Sequence, residues 1–232
     1  MDTLQNILFI APVLLFSVIA HEYAHGYAAL RQGDSTALML GRLTWNPVKH
    51  IDPFLTIIMP LMMGLLTHWQ IMLGGAKPVP VNPRNYRHYK RGDIIVSLAG
   101  VTANLLLALA STLMIAVLGM LASDADSALG RSVGILQVMM IYSVRINLAL
   151  IAFNLIPIPP LDGSHVVKYL LPPAWSLKYQ EISRFGLLIL ILLLSFGGRL
   201  LELWMRPAMI VQYSLLTSVS SFIHPSAGQW FQ

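Results

Sequence analysis

The chain has 232 residues, of which 56% are hydrophobic and only 11% are charged. Soluble domains are about one quarter charged, so this composition excludes an ordinary soluble protein and predicts a membrane protein. The formal net charge of +5 indicates cytoplasmic loops and not a nucleic-acid surface, because no basic stretch is interleaved with aromatic residues. The sequence contains no cysteine, so any metal site must use His, Asp or Glu.

The first predicted span runs from about Asn6 to Leu30, with Gly33 as its helix stop, and it carries ionisable residues in its middle. His21 and His25 stand four residues apart and lie on one helical face, so both rings can reach one metal ion. Glu22 can then act on water at that metal. Ionisable groups inside a bilayer are costly and are by default functional. The pattern predicts zinc-dependent hydrolysis within the membrane; the alternative is a polar patch that bonds between helices.

The next segments raise a question of topology. A turn-rich segment, residues 34–53, is followed by an apolar stretch over 54–73. Residues 74–93 hold five basic residues and one acidic residue, and this excess of positive charge predicts a cytoplasmic location. If the first span also ends in the cytoplasm, the stretch 54–73 must re-enter the membrane and return. A full crossing is the alternative.

Further apolar stretches predict spans at about 94–121, 133–156 and 185–205, with a sixth span or an interfacial helix at 207–223. A Pro-rich cytoplasmic segment, 157–184, lies between the predicted spans at 133–156 and 185–205. The predicted fold class is therefore an all-α polytopic membrane protein. It has about five to six transmembrane helices and a re-entrant or turn-rich segment between the first and third spans.

A catalytic zinc ion takes three protein ligands and keeps a fourth position for water. Asp162 is the candidate for the third ligand, because it follows an apolar span in the sequence NLIPIPPLDG. The prolines stop the helix, and Gly163 allows a tight turn beside the carboxylate. His165 and His50 are alternative ligands, and Asp162 could instead be a turn residue.

Two motifs together carry a resemblance to a known family. HEYAH in the first span and NLIPIPPLDG after a later span, in this order, resemble the site-2 protease family of intramembrane zinc metalloproteases. The segments GRLTWNPVKHIDP, GGAKPVPVNPRNYR and VSLAGVTANLLLA are similar to other parts of its short bacterial and archaeal members, which lack appended domains. The likeness covers roughly residues 8 to 170.

The resemblance implies that His21, His25 and Asp162 bind one Zn²⁺ per chain and that Glu22 is the general base. It implies a zinc metalloendopeptidase that hydrolyses peptide bonds in or near transmembrane segments. Residues 1–232 are then a single integral-membrane peptidase domain, with a catalytic core at about 6–170 and C-terminal helices at about 185–223.

Two asparagines match further motif positions of this family. Asn154 and Asn104 are implied to contact the substrate or the oxyanion, although each could instead form an interhelical hydrogen bond. Val101 stands where the family usually has proline. This departure changes the expected bend of the third span but removes no metal ligand.

The expected partners are a membrane-protein substrate with a transmembrane segment, the lipid bilayer and a separate adaptor or regulator, without nucleic acid. The extended segment 74–81 is expected to pair its backbone with an unwound substrate. We expect the protein in a prokaryotic cell membrane, with the site facing the cytoplasm and a role in regulated intramembrane proteolysis. The alternative function is a metal-binding scaffold or carrier without proteolytic activity, although a carrier usually shows inverted repeats.

Overall fold

The computed structural model describes residues 3–53, 58, 76–121, 127–225 and 227, with side chains from residue 8 onward. These residues form helices and irregular segments, and none of them is in a β-strand. Nearly all of the apolar stretch 54–73 lies outside the described residues. The choice between re-entry and a full crossing therefore stays a prediction.

The helices are α1 (Thr3–Gln32), α2 (Thr36–Met39), α3 (Tyr89–Leu121), α4 (Ala128–Asn154), α5 (Asp162–Val167), α6 (Pro173–Ile182), α7 (Gly186–Phe196) and α8 (Gly198–Ser218). Short 3-10 helices lie at Pro47–His50, Pro83–Asn85, Ser183–Phe185 and Ser220–Phe222. In the described part of the chain, four helical stretches are long and apolar enough to cross a membrane. They are Leu8–Gln32, Tyr89–Leu121, Ala128–Asn154 and Pro173–Phe196. The all-α fold is confirmed, and helices long and apolar enough to cross a membrane occupy the first, third and fourth predicted spans.

The predicted fifth span, 185–205, was wrong in its boundaries. Helix α7 ends at Phe196 and α8 begins at Gly198, with the Gly197 N–H donating to the Leu193 carbonyl at 2.7 Å. Consecutive glycines disfavour a continuous helix because their backbones lose the most entropy on ordering. The candidate span instead starts at Pro173, within the segment predicted to be cytoplasmic.

The chain divides into two compact units, and the first comprises Val18–Gly100. In this unit α1 ends as predicted, because Gly33 has a φ of 111° and the Asp34 N–H donates to the Ala29 carbonyl at 2.9 Å. The buried Asp34 carboxylate also accepts a 2.6 Å hydrogen bond from the Asn82 N–H and a 2.8 Å bond from the Asn85 side chain. Asp34 therefore joins the end of α1 to the segment that precedes α3.

The second unit comprises Met1–Ser17 and Val101–Gln232. Its largest apolar core lies among α3, α4 and α8, and its buried members are Ala108, Ile115, Ile141, Val144, Leu148, Leu216 and Val219. Gln137 is fully buried in α4, and its amide nitrogen donates to the Ile115 and Phe222 carbonyls at 2.9 and 2.8 Å. This amide therefore ties α3 to the 3-10 helix that follows α8. On α3, Leu106 and Leu113 are more than 60% exposed, as expected of a helix that contacts lipid.

Candidate active site

His21 and His25 face each other across one turn of α1. Their Nε2 atoms are 3.0 Å apart, and the rings meet edge to face with centroids 4.6 Å apart. Two nitrogen ligands at 2.0–2.1 Å from one tetrahedral zinc ion would be separated by about 3.3 Å. The spacing of the two imidazoles therefore fits a shared metal ion with a small adjustment.

A backbone carbonyl sets the orientation of the His25 ring. Nδ1 of His25 lies 2.7 Å from the carbonyl oxygen of Val96, near the start of α3. A carbonyl can only accept, so Nδ1 must donate and Nε2 is left with the lone pair that a metal requires. Metal-binding histidines use this arrangement, in which the second ring nitrogen fixes the tautomer.

Gly100 leaves space beside the two rings. A Cβ atom on this residue would lie 2.6 Å from Nε2 of His21 and 2.6 Å from Nε2 of His25. Any side chain here would therefore occupy the place in front of the nitrogen atoms where a shared metal ion must lie. The absence of a side chain at position 100 is a second observation that fits a metal site.

Glu22 is held by the segment that precedes α3. Its Oε2 atom accepts a hydrogen bond of 2.8 Å from the backbone N–H of Val79. Sequence reasoning missed this contact and the role of Gly100. The Pro78-Val79-Pro80 pattern indicates a stiff extended backbone, but only the folded chain shows which group its N–H meets.

The motif residues His21, Glu22 and His25 belong to the unit Val18–Gly100. The same unit contains the residues that contact them, which are Val79, Val96 and Gly100. His50 lies in the same unit, where its Nε2 atom is 2.8 Å from the Thr44 carbonyl oxygen. A carbonyl can only accept, so Nε2 donates its proton and the lone pair is left on the buried Nδ1 atom. The contact agrees with a hydrogen-bonding loop residue, and the ligand alternative for His50 stays open.

Asp162 belongs to the other unit, where it is the first residue of α5 and is half-buried. The prolines before it end α4 as predicted, and a Cβ on Gly163 would clash with the Leu155 carbonyl oxygen. The start of α5 is therefore packed tightly against the end of α4. His165 lies one turn later, with Nδ1 3.5 Å from Nζ of Lys168.

The two predicted asparagines also lie in the second unit and differ from each other. Asn154 is the last residue of α4, and its Nδ2 atom donates to the Leu150 carbonyl at 3.0 Å. Asn104 on α3 is fully buried, and neither its Oδ1 nor its Nδ2 has a hydrogen-bond partner among the described residues. A buried amide without partners costs about 1–3 kcal/mol per group, so Asn104 is the better candidate to bind a ligand.

The chain is similar in sequence to predicted zinc metalloproteases. The sequence profile of Peptidase family M50 matches residues 121–194. The chain is 35% identical to the predicted zinc metalloprotease YwhC of Bacillus subtilis, over 80% of this chain and 79% of the relative. It is 28% identical to the predicted zinc metalloprotease Rip2 of Mycolicibacterium smegmatis, over 93% of this chain and 76% of the relative. No solved structure matches the chain.

Proposed function

Because the chain belongs to Peptidase family M50, the site-2 protease family, we propose that it is an intramembrane zinc metalloendopeptidase. Its substrates are membrane proteins, and it hydrolyses peptide bonds in or near their transmembrane segments. The observation that carries this proposal is the pair of Nε2 atoms 3.0 Å apart on a helix apolar enough to cross a membrane. Glu22, which follows His21 in the sequence, is the general base.

His21 and His25 would hold the zinc ion, and Asp162 would complete the set of three protein ligands. A set of three protein ligands leaves one position for water, as in catalytic rather than structural zinc sites. When bound, zinc would lower the pKa of a water molecule toward ~7 and polarise the peptide carbonyl. The proposed content is one zinc ion per chain.

Glu22 would take the proton of the attacking water and deliver it to the leaving amine. A carboxylate beside the two histidines suits this role, because general bases must lie within hydrogen-bond reach of the proton they accept. The bond from Val79 occupies Oε2, so Oε1 is the oxygen on which the proton would be placed. The same residue can therefore serve as base and then as acid.

The two asparagines would act on the substrate in different ways. In Asn154 the donor Nδ2 is engaged by its own helix, so a substrate N–H would be held through Oδ1. In Asn104 both amide groups are without partners in the described chain, so it can offer a donor to the oxyanion or a carbonyl to the peptide.

The topology completes the proposal. We place the protein in a prokaryotic cell membrane with five to six spans, a re-entrant segment over 54–73 and the active site facing the cytoplasm. The basic segment 74–93 supports this side, because cytoplasmic loops carry an excess of Lys and Arg. The peptidase domain would comprise both compact units, and substrates could be delivered by a separate adaptor.

Cleavage of a defined substrate in the presence and absence of a zinc chelator tests this function. Purified protein in detergent is mixed with a substrate that contains one transmembrane helix, and the products are identified by mass spectrometry. We expect cleavage within or beside the helix, its loss with chelator and its return with added zinc. Bound zinc without chelator-sensitive cleavage across a substrate panel would favour the scaffold or carrier.

A further inference from the structure

We propose that the backbone N–H of Val79 positions the Glu22 carboxylate for proton transfer, and that Asp34 anchors the segment which carries this N–H. The inference rests on the proposed function, in which Glu22 is the general base. It assigns a positioning role to a backbone group 57 residues away in sequence. It also assigns one to Asp34, which lies outside the metal-binding motif.

The segment 77–82 is fastened at three points, each of which uses a backbone N–H. The Lys77 N–H donates to the His50 carbonyl at 2.8 Å, and the Asn82 N–H donates to Asp34 at 2.6 Å. Between these two points, the Val79 N–H donates to Glu22 at 2.8 Å. Glu22 is therefore bound to a segment whose two ends are both fixed, and not to a loose loop.

The prolines on both sides of Val79 stiffen this donor. Pro78 has a fixed φ, and a residue that precedes proline, as Val79 precedes Pro80, is confined to extended conformations. The direction of the Val79 N–H is thus set with little further loss of backbone entropy. A hydrogen bond from a fixed donor to a charged carboxylate belongs to the stronger class of protein hydrogen bonds.

Close packing on α1 keeps the donor within reach of Glu22. Gly26 lies one turn after Glu22, on the same helical face. A Cβ on Gly26 would lie 2.9 Å from Cγ1 of Val79, which is closer than real side chains approach one another. The missing side chain therefore lets the buried Val79 rest directly on the helix that carries the base.

Asp34 fixes the far end of the segment. Its carboxylate is fully buried and accepts bonds from the backbone N–H groups of Thr36 and Asn82 and from the side chain of Asn85. These donors come from before and after the apolar stretch 54–73 in the sequence, so one carboxylate holds α1, α2 and the segment 77–82 together. Loss of this anchor would free the segment and with it the Val79 N–H.

Two variants of Val79 distinguish the effect of losing its backbone N–H from the effect of changing its side chain. Val79→Pro removes the N–H and keeps an extended backbone and an apolar ring, whereas Val79→Ala keeps the N–H. Val81→Pro is the matched proline control in the same segment. Cleavage of the transmembrane substrate is measured as kcat and KM, and zinc content is measured on each sample.

We expect Val79→Pro to lower kcat by about 10–100-fold, the effect of losing one hydrogen bond to a charged group, with KM and zinc content within about 2-fold of the Val81→Pro values. Val79→Ala should retain at least about 5-fold more kcat than Val79→Pro. Equal kcat for Val79→Pro and Val81→Pro, or equal losses in Val79→Pro and Val79→Ala, would overturn the positioning role. Cleavage by Glu22→Gln at the wild-type rate would instead overturn the proposed function itself.

A second pair of variants tests the same contact without proline. Gly26→Ala should lower kcat because its methyl group would lie 2.9 Å from Cγ1 of Val79 and 3.1 Å from Cδ1 of Leu43. Adding Val79→Ala removes the closer of these two contacts and should restore part of that loss. Asp34→Asn should also lower kcat, as Gly26→Ala does, while the protein keeps its zinc. Full activity of Gly26→Ala, or no restoration in the double variant, would contradict the close approach on which the proposal depends.

Discussion

Gly100 lies so close to His25 that a Cβ on its backbone would be 2.6 Å from the Nε2 atom of that ring. The same Cβ would be 2.6 Å from Nε2 of His21. Gly100 on α3 therefore determines whether the two nitrogen atoms on α1 have room for a metal ion beside them.

Gly100→Ala should weaken zinc binding. Overpacking of this kind costs about 1–3 kcal/mol, which corresponds to a loss of about 5–150-fold in affinity. The matched control is Gly198→Ala, because a Cβ at that position meets nothing within 4 Å. Competition with a zinc chelator measures both affinities, and equal affinities for the two variants would show that Gly100 does not border the metal.

Asp162→Asn tests the third ligand. An amide is a poorer zinc ligand than a carboxylate, and loss of even an outer partner of a zinc ligand costs about 10–100-fold in metal affinity. We expect at least this loss for Asp162→Asn, together with loss of cleavage. Glu181→Gln, a charge-matched change at an exposed residue on α6, should retain wild-type zinc content. If Asp162→Asn also retains it, the third ligand is another residue.

The Asp34 carboxylate should make stability depend on pH. Burial alone would raise its pKa, but hydrogen bonds from the Asn82 N–H, from Thr36 and from Asn85 outweigh that effect and hold the pKa below its usual value. A lowered folded-state pKa means that this contribution is fully present above the unfolded pKa of ~4 and is lost as pH falls through the lower folded value. The unfolding temperature of the wild type should therefore exceed that of Asp34→Asn at pH 7.

This difference should narrow as the pH falls below ~4, because the carboxylate is protonated first in the unfolded chain and then, at its lower folded-state pKa, in the folded protein. Thermal unfolding in detergent, followed for both proteins at several pH values, measures it. A difference that is the same at pH 7 and at pH 3 would mean that the charge of Asp34 does not stabilise the fold.

The features that could be predicted from the sequence are those that depend on residues close together in the chain. The spacing of His21 and His25 follows from helical periodicity, and Gly33 ends α1 because glycine readily adopts a positive φ. The break at Gly197 was missed, because the apolar run around it reads as one continuous span. Two glycines in succession were the available signal.

The contacts that support the motif could not be predicted in this way. The bond between Val79 and Glu22 joins residues far apart in sequence, and a periodic pattern carries no information about such a pair. The same holds for Val96, whose carbonyl orients His25. The strand-addition hypothesis for 74–81 remains a prediction, but Pro78 and Pro80 have no N–H to offer a substrate. At these two positions an added strand could pair only with the carbonyl groups, and the Pro78 carbonyl lies 3.4 Å from a guanidinium nitrogen of Arg42.

Glu22→Gln, assayed for zinc and for cleavage on the same purified sample, tests the central claim most directly. The amide preserves the size of the side chain but cannot take a proton from water. We predict about one zinc ion per chain, as in the wild type, and a fall in cleavage rate of about 10²–10⁴-fold. Cleavage of a transmembrane substrate at the wild-type rate by this variant would contradict the assignment of Glu22 as the base of a zinc peptidase.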